Sequence, residues 1–246
     1  MEIIFKSLDT VDSTNTWIKN HLPSLEKDKF FCLSAEEQTQ GRGRKKRKWH
    51  SPKSENIYAS LYFTLPKNTK NLQCLGLLIA FSISKILKEK DIICMIKWPN
   101  DLLLNEKKIG GILCENIIEK ERIDVILGFG LNINMKHEEL KEIDQPASSL
   151  YVETNRKWDK NLLLQAIVKQ FSEDLTVFLQ KGFGYFQSSI NNSLAYVGKP
   201  IICKCEDNQY TGILHSISSE GALNICSNNT EIQTLCDGEI SLKKQA

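Results

Sequence analysis

Residues 38–49, Gln-Thr-Gln-Gly-Arg-Gly-Arg-Lys-Lys-Arg-Lys-Trp, concentrate positive charge in a flexible segment. Gly41 and Gly43 open backbone angles closed to other residues and let the main chain approach a ligand closely. Arg42 and Arg44 bring guanidinium forks, which donate paired, charge-assisted hydrogen bonds to phosphate or carboxylate oxygens. No acid interrupts the run, so the empty loop is expected to repel itself and stay mobile until an anion orders it. Lys97, in Lys97-Trp98-Pro99-Asn100-Asp101, is a second candidate, because Pro99 biases Trp98 to an extended backbone and leaves the ammonium at a constrained strand end. Ser13, Thr14 and Asn15 are the third: they precede a helical stretch, where unpaired N–H groups and polar side chains together can read a polar ligand.

Each candidate has a plainer reading. The basic run could be a nucleic-acid or nuclear-localisation patch, or simply a solvated loop. It lies between the apolar strand Phe30–Ser34 and the alternating strand Ile57–Thr64 rather than on a tail, and neither a Gly-Lys-Ser/Thr nor the third glycine of a dinucleotide fingerprint follows. Lys97 could be a surface lysine beside a core tryptophan. Ser13, Thr14 and Asn15 could be helix caps.

The elements that must position these residues follow from periodicity. Glu2–Leu8 and Phe30–Ser34 read as strands, and Thr16–Leu22 as a helix. Ile57–Thr64 alternates apolar and polar, predicting a strand with one face on the core. Leu72, Leu75, Leu78, Ile79, Ile83, Ile86 and Leu87 recur at helical spacing, predicting a helix over 71–88. Ile92–Ile96 is a strand, Leu102–Leu104 with Ile109–Ile118 a hairpin, and Ile123–Ile133 a further strand. Gly128 and Gly130 in the last either admit a flat ligand or mark a bulge. The turn-rich connection 144–150 carries no assigned role. A long helix spans the stripe Leu162–Leu179 and ends near Gly182. From about Asn191 the pattern changes to short strands, Pro200–Cys205, Tyr210–Ile217, Ala222–Cys226, Glu231–Cys236 and Glu239–Leu242, with turns at Ser219–Gly221, Asn228-Asn229 and Asp237-Gly238, predicting a small antiparallel barrel.

Composition bounds the function. With 246 residues, 25% charged and 41% hydrophobic, the chain can bury one large domain, or a large one and a small one. No apolar run approaches the ~20 residues that span a bilayer, and no secretory signal opens the chain, so the cytoplasm is the expected compartment. The eight cysteines lack Cys-x-x-Cys spacing and read as buried thiols, not disulfides or zinc ligands.

Taken in order, Ser13-Thr14-Asn15, Gln38 with Gly41-Arg42-Gly43-Arg44 and Trp49, Lys97–Asp101, Gly110–Leu113, Gly128–Asn132 and Gly238–Leu242 resemble the motifs of the biotin–protein ligase family over nearly the whole chain. The resemblance implies an α+β fold: a mixed β-sheet flanked by helices, like the catalytic domain of class II aminoacyl-tRNA synthetases, over residues 1–190, then an SH3-like barrel over 191–246. It implies activation of biotin by ATP as biotinyl-5′-AMP and transfer to a lysine of the biotin carboxyl carrier domain of a biotin-dependent carboxylase. By resemblance Lys97, Arg42 and Arg44 are catalytic. Ser13, Thr14, Asn15, Gln38 and residues 41–44 bind biotin with Lys97, and Arg42, Arg44, Trp49, Lys97 and Asn132 bind ATP or the adenylate. Mg²⁺ is expected, its ligands unassigned. Because the chain starts at the catalytic motifs, repression and sequence-specific DNA binding are not expected, nor is a membrane partner; a homodimer is left open. Lipoate ligation or octanoyl transfer, and a non-catalytic nucleic-acid module, are the alternatives.

Overall fold

The computed structural model describes residues 2–53, 55–206, 208–227 and 231–243. Strand β1 (Ile3–Val11) leads into helix α1 (Thr14–His21), and β2 (Phe30–Gln38) returns parallel to β1. After the basic loop come β3 (Ile57–Pro66), α2 (Leu75–Lys88), β4 (Met95–Lys97), β5 (Asp101–Leu104), β6 (Lys107–Ile118) and β7 (Arg122–Leu131). Short helices α3 (His137–Leu140) and α4 (Leu150–Thr154) precede the long α5 (Lys160–Lys181) and α6 (Gln187–Asn192). The sheet order is β1-β2-β3-β7-β6-β5-β4, parallel only between β1 and β2. This is the expected mixed sheet flanked by helices.

Local chemistry accounts for the elements. The β5–β6 hairpin turns on Asn105 and Glu106, both in the left-handed region at φ 49° and 63°, which a two-residue hairpin turn requires. Helix α5 starts where the Asp159 carboxylate accepts from the Asn161 and Leu162 N–H groups and stops at Gly182, whose φ is +75°. Strand β3 departs from the expected one-sided burial: Tyr58, Ser60 and Tyr62 are as inaccessible as Ala59, Leu61 and Phe63. The sheet is covered on both faces. Phe63 and Leu61 join α2 and α5 in the main core, while Tyr62 packs with Ile18 of α1, Phe31, Leu33 and Ile126.

The C-terminal strands β8 (Pro200–Cys205), β9 (Asn208–Ile217), β10 (Leu223–Cys226), β11 (Ile232–Leu235) and β12 (Glu239–Leu242) form an antiparallel five-stranded sheet in the order β11-β10-β9-β8-β12. The expected Asn228-Asn229 turn lies outside the described residues. Ile201, Leu214 and Leu223 of this small barrel belong to the same buried cluster as α2 and α5. Trp98 Nε1 donates to Gly221 O at 3.0 Å. All eight cysteines are free; Cys32, Cys74, Cys94 and Cys203 are buried as expected, whereas Cys114, Cys205 and Cys226 are half-buried and Cys236 is exposed. Among the described residues no helix is long and apolar enough to cross a membrane.

Candidate active site

The first turn of α1 is polar, inaccessible and not used for capping. Ser13, Thr14 and Asn15 are 3%, 4% and 3% exposed, and Ser13, at the N-cap position, makes no side-chain capping bond. Thr14 donates from N (2.9 Å) and Oγ1 (3.2 Å) to Gln38 Oε1, and Gln38 Nε2 donates to Ser51 Oγ at 2.9 Å. The Ser60 hydroxyl lies 2.6 Å from both Thr14 Oγ1 and Asn15 Oδ1. Asn15 Nδ2 donates to Glu115 Oε2 at 2.8 Å and Leu113 O at 3.3 Å. Thr14, Asn15 and Gln38 of the predicted biotin-side residues therefore form one network through Ser60, and Ser13 borders the same cavity.

The basic loop is not the self-repelling segment expected. Its arginines are paired with acids distant in sequence: Arg42 bidentate to Glu115 (3.0 and 3.2 Å), Arg44 to Asp237 (2.5 Å), and Arg47 to Glu239. Arg44 Nη1 also reaches Asn100 Oδ1 and Gly238 O, each at 3.4 Å. Burial pushes the Asp237 carboxyl up, but the Gly238 N–H and the Arg44 guanidinium outweigh it and hold it below the ordinary range. The glycines also act differently than expected. Neither Gly41 nor Gly43 has positive φ; Lys45 and Lys46 take that backbone instead, at φ 52° and 61°. Gly41 is required by close approach, since a Cβ there would lie 2.4 Å from Trp49 O.

The second predicted cation is displaced from the cavity. Lys97 ends β4 opposite Asp101 and lines neither of the two cavities described below. Burial lowers its pKa, Asp101 opposing. Lys108, not Lys97, lines both cavities. Its Nζ is 2.7 Å from Asp101 Oδ1, the two side chains being 16% and 17% exposed, and it lies 5.3 Å from the Trp49 ring centroid. The connection 144–150 supports it from the far side: Lys108 N donates to Pro146 O and Ser148 N to Lys108 O (3.0 and 2.9 Å). Asn132, 2% exposed, donates from Nδ2 to Ser148 O at 3.0 Å. In the sequence Lys108 reads as one more charge beside a hairpin turn, and nothing in its spacing marks it.

Two cavities adjoin on this face. A small one, about 80 Å³, is lined by Ser13, Asn15, Arg42, Lys108 and Gly128. A larger one, about 890 Å³, is lined by His50, Asn132, Asp144 and Ala147. Lys108 and Trp49 border both, with Gln38 and Gln145. Trp49 lies flat on the glycines: a Cβ at Gly130 would be 2.2 Å from Trp49 Nε1, and one at Gly111 3.0 Å from Cζ3. Gly128 and Gly130 thus serve close approach. The Trp49 Nε1 is inaccessible and has no hydrogen-bond partner among the described residues, although buried donors are nearly always paired. The Lys108 ammonium thus borders both cavities.

Residues 7–132 match the model of the Biotin/lipoate A/B protein ligase family. The chain belongs to that family. Within the family, this ligase is 30% identical over 238 residues to the "Bifunctional ligase/repressor BirA" of Salmonella typhimurium, covering 96% of the chain and 73% of that protein. It is 27% identical to the "Biotin--[acetyl-CoA-carboxylase] ligase" of Paracoccus denitrificans, over 88% of the chain and 91% of the relative. Its fold matches the solved biotin protein ligase from Aquifex aeolicus in complex with biotin and ATP, with a TM-score of 0.84, 34% identity and 99% of each chain covered.

Proposed function

We propose that the ligase condenses biotin with ATP and passes the biotinyl group to a lysine of a biotin carboxyl carrier domain. The observation that carries this reading is Lys108 on the wall common to both cavities. In the first step a biotin carboxylate oxygen forms a bond to the α-phosphorus of ATP, and the bond to pyrophosphate breaks. Two anions must meet, and a fixed cation in a water-poor site favours that arrangement most in the transition state. Lys108 supplies the cation, oriented by Asp101, while residues 13–15 and Gln38 face biotin's polar ring. Arg44 and Arg47 exchange their barrel carboxylates for phosphate; Asp237 and Glu239 are 57% and 34% exposed, and surface pairs of that kind are weakly held. In the second step the acceptor amine attacks the acyl carbon, the anhydride C–O bond breaks and AMP leaves.

Magnesium commonly binds through one or two carboxylates plus substrate phosphates. Among the described residues no group of three or more His, Cys, Asp or Glu side chains is arranged to hold a metal ion; Mg²⁺ brought in on the ATP phosphates would neutralise the departing pyrophosphate.

Biotin-dependent exchange of labelled pyrophosphate into ATP tests the reading; exchange driven by lipoate and not by biotin would move the chain to the other branch of its family. Arg44→Gly is expected to form adenylate and lose it about tenfold faster, the scale of one charge-assisted contact. Free adenylate and biotinylation of bystander albumin measure the leak; retention equal to wild type would remove Arg44 from the closure.

A further inference from the structure

The Arg42–Glu115 pair differs from the two arginine pairs made with the barrel. Glu115 is 23% exposed, and both its oxygens are engaged: Oε1 accepts from Arg42 Nη2, and Oε2 accepts from Arg42 Nη1 and from Asn15 Nδ2. Two parallel bonds fix the plane of a guanidinium as well as its position. The same carboxylate fixes the Asn15 amide. With Oδ1 towards the Ser60 hydroxyl, Nδ2 faces two acceptors, Glu115 and Leu113 O; the flipped amide would turn Oδ1 against both. Asn15 is on the first turn of α1, and Arg42 is in the basic loop. Both line the small cavity.

We propose that Glu115 is a positioning residue, whose carboxylate ties the basic loop to the first turn of α1 so that these two walls of the cavity keep one spacing. It acts through Arg42 and Asn15 and touches no substrate. A cavity whose walls are already set spares the ligand the cost of ordering them, so the tie governs affinity for whatever enters between them. That the ligand is biotin rests on the function proposed above.

The test uses the full chain with Glu115→Gln, which keeps shape and removes charge, together with Arg42→Gln and the double variant. In the ligand-free protein, amide hydrogen exchange over residues 41–49 should quicken in Glu115→Gln. In pyrophosphate exchange the KM for biotin should rise about tenfold, the scale of one charge-assisted hydrogen bond, with kcat and the KM for ATP little changed. The double variant should be no worse than the more affected single one, because both cut the same tie. Loop exchange equal to wild type, or single effects that add in the double variant, would overturn the proposal. Should Glu115→Gln not fold, Arg42→Gln decides alone from the more exposed partner, 43% accessible: unchanged loop exchange again sinks the tie. A wild type without biotin-dependent turnover would refute the ligase reading, while hydrogen exchange still judges Glu115.

Discussion

Lys108→Ala is expected to lower biotin-dependent adenylate formation by about 10²- to 10³-fold, as loss of one preorganised charge-stabilising donor does, whereas Lys97→Ala should cost far less. Lys108 borders both cavities, and its ammonium is held 2.7 Å from Asp101. Removing it takes the ion-pair partner from Asp101, so the approaching carboxylate and phosphate lose the positive charge on their shared wall. Lys97 acts only through its field, since it lines neither cavity and burial depresses its charged form. Lys108→Arg should recover part of the rate, because a planar fork carries the charge without reproducing a compact ammonium. Pyrophosphate exchange at saturating substrates, with thermal melting as the folding control, measures all three. A large loss in Lys97→Ala with Lys108→Ala near wild type would return the role to the strand end marked by the Lys97–Asp101 motif.

Gly128→Ala should weaken biotin binding by more than about tenfold and lower stability by roughly 1–3 kcal/mol, the range of an overpacked core. The added Cβ would lie 2.2 Å from Asn15 Oδ1 and 2.9 Å from its Cγ. Asn15 has little room to yield, since Ser60, Glu115 and Leu113 O hold both ends of its amide. Either β7 shifts or the amide leaves its partners unsatisfied, and each unsatisfied buried group costs about 1–3 kcal/mol. Gly43→Ala is the contrast: φ there is −116°, and its nearest neighbour, Arg47 O, is 3.4 Å from the added carbon. Urea midpoints and biotin titrations of the two variants should diverge; equal behaviour would show that the Gly128–Asn15 contact is not a constraint.

The sheet was legible because its signals are local. The alternation in β3, the apolar runs of the β5–β6 hairpin and the stripe of α5 with Gly182 at its end each arise within a few residues. The site was legible only in its near-sequence parts. Residues 13–15 and 38 meet as expected because parallel β1 and β2 pair Val11 with Gln38. The partners of the arginines were invisible: Arg44 and Asp237 are separated by 193 positions, and a basic run read alone predicts repulsion. Lys97 is marked in the sequence because proline gives a local backbone argument, whereas the placement of Lys108 rests on the Pro146–Ser148 connection and on Asp101 across the hairpin. The left-handed backbone at Lys45 and Lys46 is likewise set by loop closure, not by glycine.

The core that runs from α2 and α5 into the barrel makes the C-terminal segment inseparable from the rest in folding. A chain cut before Pro200 would uncover Phe183 and Cys74, leave the Trp98 indole N–H without its Gly221 acceptor, and strip Arg44 and Arg47 of their carboxylates. Calorimetry should accordingly record one cooperative melting transition for the whole chain, and truncation should yield aggregate rather than a smaller enzyme.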